Sequence, residues 1–531
     1  MRCDTQLTVG LAMALALLVS PALAEPDLSK APPPQDPPTP YARAIDKRLQ
    51  QVETGIEQGP YGAAFDSIGQ VNETPEWFKD AKLGIYFHWG VYSVPAYGSE
   101  WYPRKMHRIG YYKHHKQTYG SPKAFPYSYF VPHFGAEKFD AQAWAKLFKE
   151  AGARFAGPVA EHHDGYAMWD SSVTPWNAAD TGPKADLTGR LEQAIRAEDM
   201  RFVTTFHHAR NNLLQKSDGS WTGHYEGVGK HFPSLLNHPY DALLYGYMPK
   251  DQFEKMWLAK LGEVIDQYEP DLIWFDSWLH TISPKRQAQF TAYYYNRAEA
   301  MDKSVVVTRK QDDLPLNASI EDYEKGRPAK LMDRWWLTDD TISRGSWCYT
   351  QGLKIKSTAR VLHDFIDIVA KRGCLLLNIS PKADGTIPQN QKRVLHNLGA
   401  WLDVNGEAIY ATRPWATFGE GPTRLKKGGH FVKGVSYTAQ DVRYTQSKDG
   451  DTLYAIVLGW PGDDLVLDKV RVNNPDEGTV SLLGRDGKLT ASTNDEGSVV
   501  IDVPNLPKAQ RPCEHAFVFK LDGVDAHPPQ Q

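Results

Sequence analysis

Four short stretches of this 531-residue chain gather histidine, tryptophan and carboxylate side chains just after apolar runs. The first is Phe87-His88-Trp89-Gly90, followed by Ser99-Glu100-Trp101-Tyr102. The second is Glu161-His162-His163-Asp164-Gly165, with Trp169-Asp170-Ser171 beyond it. The third is Phe206-His207-His208, and the fourth is Asp271-Leu272-Ile273-Trp274-Phe275-Asp276. A single histidine after a strand is ordinarily a hydrogen-bonded structural residue. Three such strand ends brought to one place by topology are a stronger signal. His163, His207 and a carboxylate have the donor types of a zinc or iron site, which would make a metal-dependent hydrolase. Against this, no H-x-H or H-E-x-x-H spacing occurs, and indoles are interspersed among the imidazoles. That mixture suits a site that hydrogen-bonds sugar hydroxyls and stacks on a sugar ring. The reading adopted has no metal ligands and no cofactor.

These residues need a scaffold that places several strand ends around one mouth. Between about Thr74 and Pro414, short apolar runs alternate with segments of helical period. Strands are expected at Leu83 to Phe87, Arg154 to Ala160, Arg201 to Phe206, Leu272 to Phe275, Ser304 to Val307 and Cys374 to Ile379. Helices are expected from Asp140, a capping residue, through Phe148 to the Gly152 stop, and near Leu187 to Ala197. Phe253, Trp257, Leu261, Ile265 and Tyr268 share one face of another helix, which Pro270 ends. Further helices are expected near Ser283 to Met301, Thr358 to Lys371 and Gln389 to Val404. Strand-then-helix repetition implies an α/β fold with a parallel sheet. No glycine-rich phosphate loop follows any strand, so a (β/α) TIM-like barrel over 43–414 is favoured over an open sheet. Beyond it, at 415–531, segments such as Thr452 to Leu458, Leu465 to Val472, Thr479 to Leu483 and Ala516 to Leu521 are short and separated by turn signals. They predict an antiparallel β-sandwich, whose ordinary role is packing against the barrel.

The N-terminus reads as an export signal over 1–24: Arg2, an apolar run from Leu7 to Val19, and a small-x-small pattern at Ala22-Leu23-Ala24. A proline-rich linker over 25–42 follows. The expected location is periplasmic or extracellular. A net charge of −4 gives no case for a nucleic-acid or membrane partner. Cys348, Cys374 and Cys513 are too few and scattered for a disulfide framework, although two of them are able to pair. The 16 tryptophans fit sugar stacking, but equally a large core.

From Trp77 to Trp415 the chain resembles glycoside hydrolase family 29, the α-L-fucosidases. The matching motifs are Trp77-Phe78-x-x-Ala81-Lys82-x-Gly84-Ile85, His88-Trp89-Gly90-Val91-Tyr92-Ser93-Val94-Pro95 and Glu100-Trp101. They continue with His162-His163-Asp164-Gly165, Trp169-Asp170-Ser171, Trp274-Phe275-Asp276 and Asn378-Ile379-x-Pro381-x-Ala383-Asp384-Gly385. The resemblance implies retaining hydrolysis of terminal α-L-fucose in an oligosaccharide or glycoconjugate, with Asp276 as nucleophile. It implies sugar contacts for His88, His162, His163 and Trp274, with Glu100 and Trp101 at the mouth. Where the family often has Tyr-Tyr-Ser or Tyr-His-Ser, this chain has Phe206-His207-His208, so His207 takes the hydroxyl contact, with His208 as its alternative. Arg309 resembles the arginine placed near the sugar. The acid/base shifts among family members; Glu324 lies where it is expected, and Glu321 is the alternative. Trp336 is read as lining the leaving-group side, although a buried aromatic explains it equally. Asn378 and Asp384 are read as structural. A glycosidase for a fucose-related sugar is the rival within the same enzyme class.

Overall fold

The structure, a computed structural model, describes residues 30–68, 73–215, 221–311, 313–473, 478–523 and 525–529. The expected export signal lies outside them. Eight strands form a closed parallel barrel in sequential order: β1 (Leu83–Phe87), β2 (Phe155–Glu161), β3 (Arg201–Phe206), β4 (Leu272–Phe275), β5 (Val306–Arg309), β6 (Ile320–Asp322), β7 (Trp336–Thr341) and β8 (Gly373–Ile379). The ring closes where β8 pairs with β1, from Leu83 opposite Leu375 to Phe87 opposite Ile379.

Alternation along these strands sorts the side chains. Tyr86, Val203, Leu272, Trp274, Val306, Ile320, Leu337, Cys374 and Leu376 meet inside the barrel. Ile85, Phe87, Ile273, Phe275, Val305, Val307 and Trp336 face the surrounding helices. Those helices are α1 (Thr39–Gln58), α2 (Ala141–Glu150), α3 (Leu187–Ala197), α4 (Lys250–Tyr268), α5 (Pro284–Ala300), α6 (Thr358–Ala370) and α7 (Gln389–Asn405). Asp140 caps α2 by accepting from the Ala143 N–H at 2.9 Å, as its position before the apolar run predicts. The five apolar residues assigned to one face of α4 are all buried.

Three features of the barrel depart from the expected pattern. Helix α1 begins at Thr39, inside the stretch read as linker to 42, and buries only Ile45, Leu49 and Val52, packing on α4 and α5. Strand β5 starts at Val306 rather than Ser304, whose carbonyl instead accepts from the Trp77 indole at 2.8 Å. Strands β6 and β7 were not anticipated. They are short or polar, and among the described residues of 310–319 and 323–335 there is no crossover helix between β5, β6 and β7.

The sandwich begins with β9 (Arg413–Glu420), β10 (Val442–Gln446) and β11 (Thr452–Val457), which form one antiparallel sheet with Phe517–Asp522 and Thr479–Leu482. A second sheet of Asp464–Leu467, Val499–Asp502 and Ala491–Thr493 covers it, burying Trp415, Tyr444, Leu465, Ile501 and Phe519 between them. The run expected as one strand from Leu465 to Val472 breaks into Asp464–Leu467 and Arg471–Val472. Sandwich and barrel are joined through Asp367 on α6, fully buried, which accepts from Arg443 on β10 (2.6 Å), Arg327 (2.8 Å) and Lys371 (2.8 Å). The thiols of Cys348, Cys374 and Cys513 are unpaired.

Candidate active site

At the C-terminal mouth of the barrel lies a pocket of about 420 Å³. Nine of the sequence-predicted residues line it: His88, Glu100, Trp101, His162, His163, His207, Trp274, Asp276 and Glu324. The elements explain why. His88, His207 and Asp276 follow β1, β3 and β4 on the inward parity of each strand. On β2 the register shifts between Val159 and Glu161, so Glu161 turns outward to a buried 2.7 Å ion pair with Lys260, while His162 enters the pocket. Gly165 then takes a left-handed turn (φ 73°) against the backbone of Leu244, where a side chain would collide.

Arg309 and Trp336 are corrections. Arg309 has the outward parity of β5, and its guanidinium donates to the Leu314 carbonyl at 2.7 Å. Trp336 opens β7 at the far end of the barrel, facing outward, with its indole donating to the Lys371 carbonyl. Their places in the pocket are taken by Lys310, one residue on, and by Trp347, whose ring stacks on His88 at 5.3 Å. The alternatives separate as well. Glu321 points away from the pocket and accepts from the Tyr323 hydroxyl, whereas Glu324 enters it. His208 is buried between Phe206 and Trp257, outside the pocket.

Lys310 organises the centre. Its ammonium, 1% exposed, lies 3.2 Å from Asp276 Oδ1 and 3.2 Å from Glu324 Oε2. It also lies 3.4 Å from Asp339 Oδ1 and 3.7 Å from Asp322 Oδ2. One ammonium cannot neutralise four neighbouring carboxylates, so protons remain on some of them. Burial pushes the Asp276 carboxyl up, but Lys310 and the contact with His163 Nε2 (3.2 Å) hold it well below the usual carboxylate range. Burial raises Glu324 to about 7, against the pull of Lys310 and with the help of Asp339 and Asp276. Burial beside Asp339 pushes Asp322 well above its ordinary value. The environment thus makes Asp276 an ionised group and Glu324 a group able to carry a proton.

Three of the imidazoles supply neutral hydrogen-bonding groups. Burial lowers His88 to about 3 and drives His162 and His207 well below the ordinary histidine value. His88 Nδ1 is oriented by Asn378 Oδ1 at 2.8 Å, which gives the Asn378 motif its structural role. His163 is fixed by donating from Nδ1 to the His207 carbonyl at 2.8 Å, while Asn211 and Tyr225 donate to its own carbonyl. The long 211–248 connection therefore buttresses the pocket; His224 from it packs on Trp101 and His163. His162 Nδ1, His207 Nδ1 and Trp274 Nε1 are buried without a protein partner. A hydroxyl-rich ligand would satisfy such groups. Glu100 accepts from Ser346 Oγ and the Trp347 N–H, both at 3.0 Å, and so anchors the loop that carries Trp347.

At the rim, the Arg210 guanidinium lies between two indoles, 4.6 Å from the ring of Trp101 and 4.7 Å from that of Trp278. Trp278, two residues after Asp276, holds a left-handed backbone (φ 81°) unusual for a bulky residue.

Replacing Lys310 by Met should leave the buried acids without their counter-ion. We expect a loss of about 3–5 kcal/mol in urea unfolding. A stability within about 0.5 kcal/mol of the wild type would mean that Lys310 does not hold this cluster together.

An ionised carboxyl beside one of raised proton affinity, facing one pocket of imidazoles and indoles at the mouth of a parallel barrel, defines a glycoside hydrolase. The sequence matches the family described as Alpha-L-fucosidase over residues 48–407 and the Alpha-L-fucosidase C-terminal domain over 436–522. It is 32% identical over 469 residues to the tissue alpha-L-fucosidase of Rattus norvegicus, covering 85% of this chain and 90% of that one. It is 32% identical over 467 residues to the tissue alpha-L-fucosidase of Homo sapiens, covering 85% and 89%. The fold superposes on the Thermotoga maritima alpha-fucosidase in complex with fucose with a TM-score of 0.65 at 27% identity, over 87% of this chain and 100% of that one. The chain belongs to the α-L-fucosidase family of glycoside hydrolases.

Proposed function

We propose that the chain is an exo-acting, retaining α-L-fucosidase that removes terminal α-L-fucose from oligosaccharides or glycoconjugates through a covalent glycosyl-enzyme. The observation that carries this is the pairing of Asp276 and Glu324 on the Lys310 ammonium, with opposite displacement of their proton affinities. Two carboxyls within reach of one ammonium suit the separation of about 5–5.5 Å that retaining enzymes need. A pocket of about 420 Å³ that both carboxyls line has room for a terminal sugar and part of its leaving group. The solved relative from Thermotoga maritima holds fucose, which supports that sugar.

In the first step an Asp276 oxygen attacks the anomeric carbon while Glu324 gives its proton to the departing glycosidic oxygen. The C–O bond to the leaving group breaks, and a fucosyl ester of Asp276 forms. In the second step the Glu324 carboxylate takes a proton from water, whose oxygen displaces Asp276 at the same carbon. Two inversions give net retention. The neutral imidazoles of His88, His162 and His207 are able both to donate to and to accept from sugar hydroxyls. Proton NMR of early product should show α-fucose before mutarotation; β-fucose as first product would overturn the retaining reading.

A metal-dependent reading has one observation in its favour: His88, His162 and His207 offer ligand atoms within 4.8 Å of one another. Metal-bound imidazoles ordinarily donate their second nitrogen to a carboxylate or carbonyl. Here only His88 has such a partner, and the Nδ1 atoms of His162 and His207 have none. The carboxylate reading predicts full activity in a strong chelator, and loss there would favour the metal.

We also propose export, which the Arg2 start, the apolar run and the Ala22-Leu23-Ala24 pattern support. The mature protein should begin at Glu25 by N-terminal sequencing; retention of the leader in exported material would contradict it.

A further inference from the structure

Residues 429–432 reach the pocket from the sandwich side. They lie in the connection between β9 and β10, outside both family matches, 48–407 and 436–522. They run along the loop that carries Glu324. Gly429 and Arg327 exchange backbone hydrogen bonds at 3.1 Å, Phe431 N–H donates to the Glu324 carbonyl at 2.7 Å, and Val432 N–H donates to the Lys325 carbonyl at 3.0 Å. In return the Glu324 N–H donates to His430 Nδ1 at 3.0 Å. Both backbone polar groups of Glu324 are therefore held by this segment. Its far end is pinned by Arg360 Nη1 on the Val435 carbonyl (2.5 Å) and Arg327 Nη2 on the Tyr437 hydroxyl (3.1 Å).

Two side chains follow from this placement, and both line the pocket. His430 accepts at Nδ1, so its proton sits on Nε2, and its ring packs on Tyr323 at 5.7 Å. Phe431 is 65% exposed, the most exposed large hydrophobic side chain among the described residues. It holds a left-handed backbone (φ 51°), which aromatic residues rarely adopt. A ring left in water at the mouth of a sugar site contributes little to packing its own chain. It does offer a stacking surface for the apolar face of a pyranose. Because the segment flanks the group that protonates the leaving oxygen, whatever lies against it is the leaving group.

We propose that residues 429–432 build the aglycone subsite: Phe431 is the stacking platform for a neutral sugar leaving group, and His430 is a positioning residue that fixes Glu324. The proposal rests on the fucosidase reading and extends it to specificity. The sandwich connection thereby helps to choose the substrate.

The test compares wild type, Phe431→Gly, Phe431→Trp, His430→Ala and His430→Asn. Each is assayed on α-L-fucosyl fluoride, whose leaving group is too small to stack, and on a fucosyl-disaccharide that the wild type hydrolyses. Glycine tolerates the left-handed backbone, so the fold is not at stake in the first variant. Phe431→Gly should lower the disaccharide-to-fluoride ratio of kcat/KM about tenfold, mainly through KM, and Phe431→Trp should restore it. His430→Ala should move the alkaline limb of the disaccharide profile to lower pH, and His430→Asn, whose side-chain oxygen accepts from the same N–H, should move it back. An unchanged ratio in Phe431→Gly overturns the platform, and an unmoved limb in His430→Ala overturns the positioning role. A wild type that releases neither fluoride nor fucose overturns the fucosidase reading itself.

Discussion

Replacing Asp276 by glycine should lower kcat on an aryl α-L-fucoside by at least about 10³-fold. Sodium azide should then restore turnover and yield β-L-fucosyl azide, inverted at the anomeric carbon. The reason lies in the geometry. Asp276 is the ionised member of the carboxyl pair, held so by Lys310 at 3.2 Å and His163 at 3.2 Å. Glycine removes the nucleophile and leaves a space that a small anion is able to fill. The variant keeps Glu324, so leaving-group protonation is still available to the azide reaction. Near-normal hydrolysis by the glycine variant would remove Asp276 from the nucleophile's place.

Replacing Glu324 by alanine should separate substrates by leaving group. On a fucosyl-disaccharide, whose departing oxygen needs a proton, we expect a loss of about 10²–10⁴-fold. On an activated aryl fucoside, formation of the ester needs no acid and its rate should change far less. The sign of the pH dependence follows from the direction of the shift. Glu324 is raised to about 7 and must be protonated to donate. Disaccharide hydrolysis should therefore hold below about pH 7 and fall as pH rises through that value. In Glu324→Gln the alkaline limb should vanish along with most of the activity. An equal loss on both substrates, with the limb retained, would assign the proton to another group.

Much of this site was legible in the sequence, because strand ends carry recognisable residues and the apolar runs that precede them are short and distinct. The misplaced residues share one physical cause. Side chains of a barrel strand alternate between the interior and the helix layer, so parity decides which neighbour faces the site. Val306 and Ile320 lie inside, and so Lys310 and Glu324 share their parity, whereas Arg309 and Glu321 do not. Leu337 lies inside, so Trp336 faces out and Asp339 reaches Lys310. Parity assigns a facing only where the strand itself is evident, and β6 and β7 are not evident in the sequence. Their short or polar sequences, Ile320–Asp322 and Trp336–Thr341, lack an apolar run because their inward carboxylates answer a buried lysine rather than a hydrophobic core. The contribution of His430 and Phe431 had no local signal at all. It depends on a connection more than a hundred residues away in sequence pairing with the Glu324 loop. Helix α1 carries a weak sequence signal for a simpler reason, since it shows only one narrow apolar stripe, Ile45, Leu49 and Val52.

The central claim is that a covalent bond forms between fucose and Asp276, and mass spectrometry after inactivation tests it most directly. Treatment with 2-fluoro-fucosyl fluoride should slow the breakdown of the ester enough to trap it. Intact protein should gain the mass of one 2-fluoro-fucosyl group, and the peptide that carries the label should contain Asp276, with fragmentation placing the group on its carboxylate. A label on any other carboxylate would contradict the account, as would complete turnover with no adduct together with β-fucose as the first product.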